Sequence, residues 1–168
     1  MSRHFQFEAL IRHTAPELFS YAMWLCGDRQ LAEDLVQETL LRAWRALDKL
    51  RDATAAKHWL MTILRREHAR YYERQRPEAM DLQAADFPEH LLVHHDEAPE
   101  VEELRRGMFA LERDYREPLV LQVLLGYTTS EIASIMEISQ GAVLTRLCRA
   151  RRKLQALLGE ERQRQVKQ

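Results

Sequence analysis

Five cations crowd one short stretch of the chain: Arg146, Arg149, Arg151, Arg152 and Lys153 fall within SQGAVLTRLCRARRK, residues 139–153. No Asp or Glu lies between Ile138 and Gly159. On a helix whose other face is apolar, such a row fits a polyanionic groove, because guanidinium groups pair with phosphate oxygens and, bidentately, with base edges. A second cluster has the opposite sign. Glu33, Asp34, Gln37 and Glu38 recur at i to i+4 and so share one helix face, a surface suited to a basic partner. A third cluster, Arg65, Arg66, Arg70, Arg74 and Arg76 against Glu67 and Glu73, has Tyr71 and Tyr72 among its cations. Any one charge run is by default a solvated face. What sets the basic helix apart is its freedom from acids and the turn that introduces it.

The elements that must position these groups are helical. Leu, Ala, Glu, Arg and Gln dominate, with five Gly and five Pro in 168 residues, which favours an all-α chain. Charge varies along it. Residues 1–76 hold 13 Lys/Arg and 10 Asp/Glu, or +3; residues 77–104 hold none and 9, or −9; residues 105–168 hold 12 and 7, or +5. Two small helical domains, 1–76 and 105–168, are therefore expected, joined by an acidic flexible linker, 77–104, with at most short helical pieces.

In the first block, apolar residues at three- and four-residue steps predict a helix from about 5 to 26, ended by Gly27 and bent or split at Pro16. Asp28 caps a second helix running to about Leu50. A third spans about 55–74, with Trp59, Leu60, Ile63 and Leu64 inward. Trp24, Trp44 and Trp59 all lie on apolar stripes and read as core. In the second block, Pro118 is placed near the start of a helix ending before Gly126. Thr128 with Glu131 makes a capping box for the next helix, and Ser139 caps the basic one. Ile132, Ala133, Ile138, Val143 and Leu147 close a small trihelical core, so the C-terminal block is a helix-turn-helix.

Enzyme chemistry finds no support: there is no glycine-rich phosphate loop, nucleophile elbow or His/Glu zinc helix, and no cofactor or small-molecule substrate is implied. His94, His95 and Asp96 sit in the acidic segment and read as solvated rather than as metal ligands. Cys26 and Cys148 lie far apart within helical patterns, pointing to free thiols and a cytoplasmic setting. No apolar run reaches the ~18–20 residues needed to span a bilayer, and MSRHFQFEAL lacks a secretory signal.

Two stretches carry a family resemblance: GDRQLAEDLVQETLLRAWRAL, followed by HWLMTILRR, and LERDYREPLVLQVLLGYTTSEIASIMEISQGAVLTRLCRARRKL. In this order, separated by an acidic segment, they resemble the extracytoplasmic-function sigma factors, the small two-domain initiation subunits of bacterial RNA polymerase. The resemblance covers nearly the whole chain. It implies that Glu33, Asp34, Gln37 and Glu38 dock on the clamp helices of the largest subunit of bacterial core RNA polymerase. It implies that the third helix (Arg65, Arg66, Arg70, Arg74) and the loop Asp48–Ala56 engage the −10 element of promoter DNA, where a base is held outside the stack. It implies that the basic helix, capped at Ser139, reads the −35 duplex, with Gln140, Gly141, Thr145 and Arg146 near bases and Arg149, Arg151 and Arg152 on phosphates. An anti-sigma factor is the partner such proteins commonly have. As a flexible coil, residues 77–104 have a span of about 30 Å and a limit near ~90 Å. Two sites about two helical turns, ~70 Å, apart are thus reached with the linker stretched.

The chain departs from the family pattern at several positions. Leu144 and Ala142 stand where Lys and Thr are common, Glu137 where Gly often shapes the turn, and Arg66 and Arg70 where Asn and Asp are frequent. Two other readings remain at this stage. A sigma mimic that sequesters an anti-sigma factor needs the docking surface but no basic helix. A repressor using the helix-turn-helix alone leaves the first block unexplained.

Overall fold

A computed structural model describes residues 3–75 and 98–166. Among them the regular structure is helical: α1 (Arg3–Cys26), α2 (Arg29–Arg45), α3 (Ala56–Gln75), α4 (Pro99–Ala110), α5 (Arg113–Leu119), α6 (Thr129–Met136) and α7 (Gln140–Val166). The N-terminal three pack on one another around Leu18, Tyr21, Ala22, Leu35, Leu60, Met61 and Leu64, and α4–α7 close around Leu121, Ile132, Ile135, Met136, Val143 and Leu147.

Local chemistry sets the junctions. Gly27 takes φ 66°, and its N–H donates to the Met23 carbonyl at 2.8 Å, terminating α1 in the left-handed conformation that costs Gly least. One residue on, the Asp28 carboxylate accepts from the Leu31 N–H at 2.7 Å and starts α2. The capping box is present in full: the Thr128 hydroxyl accepts from the Glu131 N–H at 3.2 Å, and the Glu131 carboxylate accepts from the Thr128 N–H at 2.7 Å. Ser139 Oγ accepts from the Ala142 N–H at 3.1 Å and opens α7.

Four expectations need correction. Helix α1 is not split at Pro16, since one continuous element holds it. The second helix stops at Arg45, and the chain then runs through short 3₁₀ turns at Leu47–Lys49 and Ala53–Ala55. The expected linker does not extend to residue 104: Pro99 at the first position and Glu100 and Glu102 in the first turn favour a helix there, and α4 forms from Pro99. Pro118 lies inside its helix rather than near its start, because the Tyr115 and Arg116 N–H groups both donate to the Glu112 carbonyl at 2.9 Å and nucleate α5 upstream. Beyond it, Val120–Leu124 widens into a π-turn in which the Leu125 N–H reaches the Val120 carbonyl at 3.1 Å. His94, His95 and Asp96 lie outside the described residues.

The two blocks meet. Helix α1 contacts α5, and α3 contacts α6. Trp24 stacks on Phe109 at 4.6 Å and 16°. No described helix is long and apolar enough to cross a membrane.

Candidate functional site

The acidic face stands on a well-anchored helix. Leu35, Thr39 and Ala43 bury one side of α2, leaving Asp34 and Gln37 in solvent and Glu33 and Glu38 partly so. The carboxylates are held rather than loose: Glu33 pairs with Arg29 at 3.1 Å, Asp34 accepts from Gln30 at 3.2 Å, and Glu38 pairs with Arg42 at 2.9 Å. Arg42 also reaches the buried Glu67 of α3 at 2.7 Å, which ties the orientation of this face to the helix behind it.

Sequence reasoning missed the apolar half of this surface. Gln37 lines a groove between α1 and α2 with Phe7, Ile11, Leu40, Leu41 and Trp44. Leu41 is 50% exposed and Trp44 40%, so Trp44 is not a core residue as expected. Phe7 packs on it at 5.2 Å and His4 edge-on at 5.8 Å. The signal was present: Leu41 follows Gln37 by four and Asp34 by seven, one step off the core stripe.

In α7, Val143, Leu147 and Ala150 are buried, which turns Gly141, Leu144, Thr145, Cys148, Arg149 and Arg152 to solvent. The expected contact residues divide here. Among the described residues Arg149 and Arg152 carry no ion pair, and Thr145 is exposed beside them. Gly141 leaves open space where a side chain would stand. Arg146 turns toward Asp114 at 3.8 Å, and Arg151 hydrogen-bonds Gln122. Lys153 pairs with Glu112 at 3.0 Å and lies over the Tyr115 ring at 4.5 Å. Gln140 donates to Thr129 at 2.9 Å, bracing the two helices of the motif. The turn between them holds Glu137 at φ 56°, the left-handed conformation for which glycine is the default residue.

The four arginines of α3 are also divided. Arg65 donates to Glu117 of α5 at 2.7 Å, and Arg66 pairs with Glu137 of the turn. Arg70 pairs with Glu67 at 2.6 Å, and Arg74 is exposed near the end of the helix. Beside them His68 is buried against Tyr72 at 4.7 Å. Burial first, then the nearby Arg113, Arg65 and Arg116, push its pKa down to about 3, so its imidazole is neutral. Among the described residues no group of His, Cys, Asp and Glu is arranged to hold a metal.

Comparison with known proteins agrees with this anatomy. Sigma-70 region 2 matches residues 10–78 and Sigma-70, region 4, matches residues 102–154. An ECF RNA polymerase sigma factor, EcfG of Rhodopseudomonas palustris, is 35% identical over 145 residues, spanning 85% of this chain and 80% of that one. The ECF RNA polymerase sigma factor SigM of Bacillus subtilis is 30% identical over 146 residues, 84% of this chain and 88% of its own. Among solved structures, the sigma factor RpoE in complex with the anti-sigma factor NepR from Bartonella quintana superposes with a TM-score of 0.73 at 26% identity, covering 91% of this chain and 96% of that one. CnrH in complex with the cytosolic domain of CnrY gives 0.66 at 26% identity, covering 92% and 88%. With a region 2 helical block, a region 4 helix-turn-helix and relatives matched across most of their length, the chain belongs to the ECF family of RNA polymerase sigma factors.

Proposed function

We propose that this protein is the dissociable subunit that directs bacterial core RNA polymerase to promoters carrying −10 and −35 elements, under the control of an anti-sigma factor. The observation that carries the reading is the exposed strip Gly141, Thr145, Arg149 and Arg152 on a braced helix-turn-helix, far in sequence from an anchored acidic face on α2. Exposed guanidinium groups on a rigid helix suit a phosphate backbone, and the bare backbone at Gly141 admits close approach to base edges. Glu33, Asp34, Gln37 and Glu38, with Leu41 and Trp44 alongside, offer a polymerase helix both charge and apolar contact. Arg65, Arg66, Arg70 and Arg74 would meet the −10 strand. The subunit supplies recognition and positioning, and the bond-forming chemistry belongs to the polymerase.

Support for anti-sigma control is that the superposed RpoE and CnrH structures are both complexes, with NepR and CnrY respectively. A sigma mimic could use the same groove at Leu41 and Trp44, but it has no need of the exposed Arg149 and Arg152. Transcription in vitro with purified core enzyme tests the proposal. Start sites that appear only when this protein is added are expected, and no initiation on any genomic template would contradict it.

A further inference from the structure

Leu144 is 54% exposed in the second turn of α7, and among the described residues of that helix it is the only exposed large apolar side chain. Its direction is fixed from behind. Val143 and Leu147 are buried in the core of the C-terminal block, and Gln140, four residues before Leu144, is turned onto Thr129 of α6 at 2.9 Å. Its other neighbours on the helix surface are Gly141, Thr145 and Cys148, all exposed and all short. Nothing lies within 4 Å of where a Gly141 Cβ would stand. The leucine therefore rises from a bare stretch of the helix.

We propose that Leu144 reads thymine: its isobutyl group packs on a C5-methyl in the major groove of the −35 duplex and sets the sequence preference at that base pair. The inference rests on the reading of α7 as the −35 helix. Leucine has neither donor nor acceptor, so it takes no part in the hydrogen-bond code of the base edges and pairs with no phosphate. The apolar feature that the major groove presents is the thymine methyl.

Position and charge agree with that partner. Residues in the first turns of a recognition helix are the ones that meet base edges, and Leu144 is among them. No acid lies between Ile138 and Gly159. The exposed Arg149 and Arg152 follow about 7.5 and 12 Å further along the helix axis, where they suit the phosphates of the groove wall. A lone exposed leucine is ordinary on a protein surface. This one stands on a cationic face, where closing on a duplex strips it of water. A methyl group opposite then favours binding, and a polar base edge opposite opposes it.

The probe is the set of duplexes that the holoenzyme, core polymerase loaded with this protein, enriches from a pool randomised over the −35 window. Each dT·dA pair of an enriched duplex is changed in turn to dU·dA, which deletes one methyl and leaves every hydrogen-bonding group in place. With the unaltered protein, dU at one position should weaken binding about fourfold, the effect of one buried methyl. Leu144→Ala, a change at an exposed side chain, should bind the parent and that dU duplex alike. It should also keep the salt slope of the unaltered protein, because no phosphate contact is lost. Enriched duplexes without a fixed thymine, dU duplexes that all bind as their parent, or a dU penalty that persists in Leu144→Ala at equal helicity would each overturn the assignment while leaving the −35 reading in place. A pool that yields no enriched duplex would contradict the −35 reading itself and remove this assignment with it.

Discussion

Tyr21 and Glu117, 96 residues apart in sequence, are joined by a 2.6 Å hydrogen bond in which the phenol donates to the carboxylate. Both are buried, and the carboxylate raises the Tyr21 pKa further above the level to which burial alone brings it. Truncating Glu117 leaves a buried phenol without its acceptor and Arg65 without its counter-charge. Glu117→Ala should cost about 2–3 kcal/mol and Tyr21→Phe about 1 kcal/mol, measured by urea unfolding. Equal midpoints for the two variants would contradict the assignment of a shared acceptor.

Glu137 provides a test of backbone strain. Glu137→Ala and Glu137→Gly both lose the carboxylate that meets Arg66, so their difference isolates the left-handed backbone. The glycine variant should be the more stable of the two by about 1 kcal/mol at an unchanged denaturant slope. The reverse order would show that the turn is not strained.

Acid should loosen the protein through His68. Its folded pKa of about 3 lies below the ordinary value near 6.5, so the unfolded chain binds the extra proton first. Stability is therefore full above about pH 6.5 and falls as pH drops through that window, by about 2 kcal/mol between pH 6.5 and 5. His68→Gln should flatten the dependence in that interval when urea midpoints are compared across pH, whatever it does to stability at pH 7. An unchanged slope would place the acid sensitivity elsewhere.

Arg149 and Arg152 should behave as phosphate contacts. Replacing both by Ala in the holoenzyme should weaken −35 duplex binding across sequences and reduce the slope of log affinity against log salt by about 2. An unchanged slope would remove them from the DNA interface.

What the sequence revealed and what it hid divide by range. The capping box of Thr128 and Glu131, the Asp28 cap and the stop at Gly27 depend on neighbours within a few residues, so spacing alone exposed them, whereas the irregular turn at Glu137 was legible only through the family resemblance. Glu117 was invisible: it is one acid on a charged helix until folding brings Tyr21 and Arg65 to it. Periodicity also placed Trp44 on an apolar stripe, but a stripe does not say how far each of its members is covered, and the groove left Trp44 and Leu41 half in solvent. The basic helix was read correctly as basic and amphipathic. Its division into outward Arg149 and Arg152 and inward-tied Arg146, Arg151 and Lys153 needed the positions of Asp114, Gln122 and Glu112.

The central claim is that recognition of the polymerase and recognition of the promoter reside on different surfaces. Titrating core enzyme with labelled Asp34→Arg, Glu38→Arg protein, alongside the Arg149→Ala, Arg152→Ala protein, tests it most directly. The account predicts that the first variant, still folded, loses core binding, while the second binds core as the unaltered protein does and fails only on the −35 duplex. Unchanged core affinity in the folded acidic-face variant would contradict it.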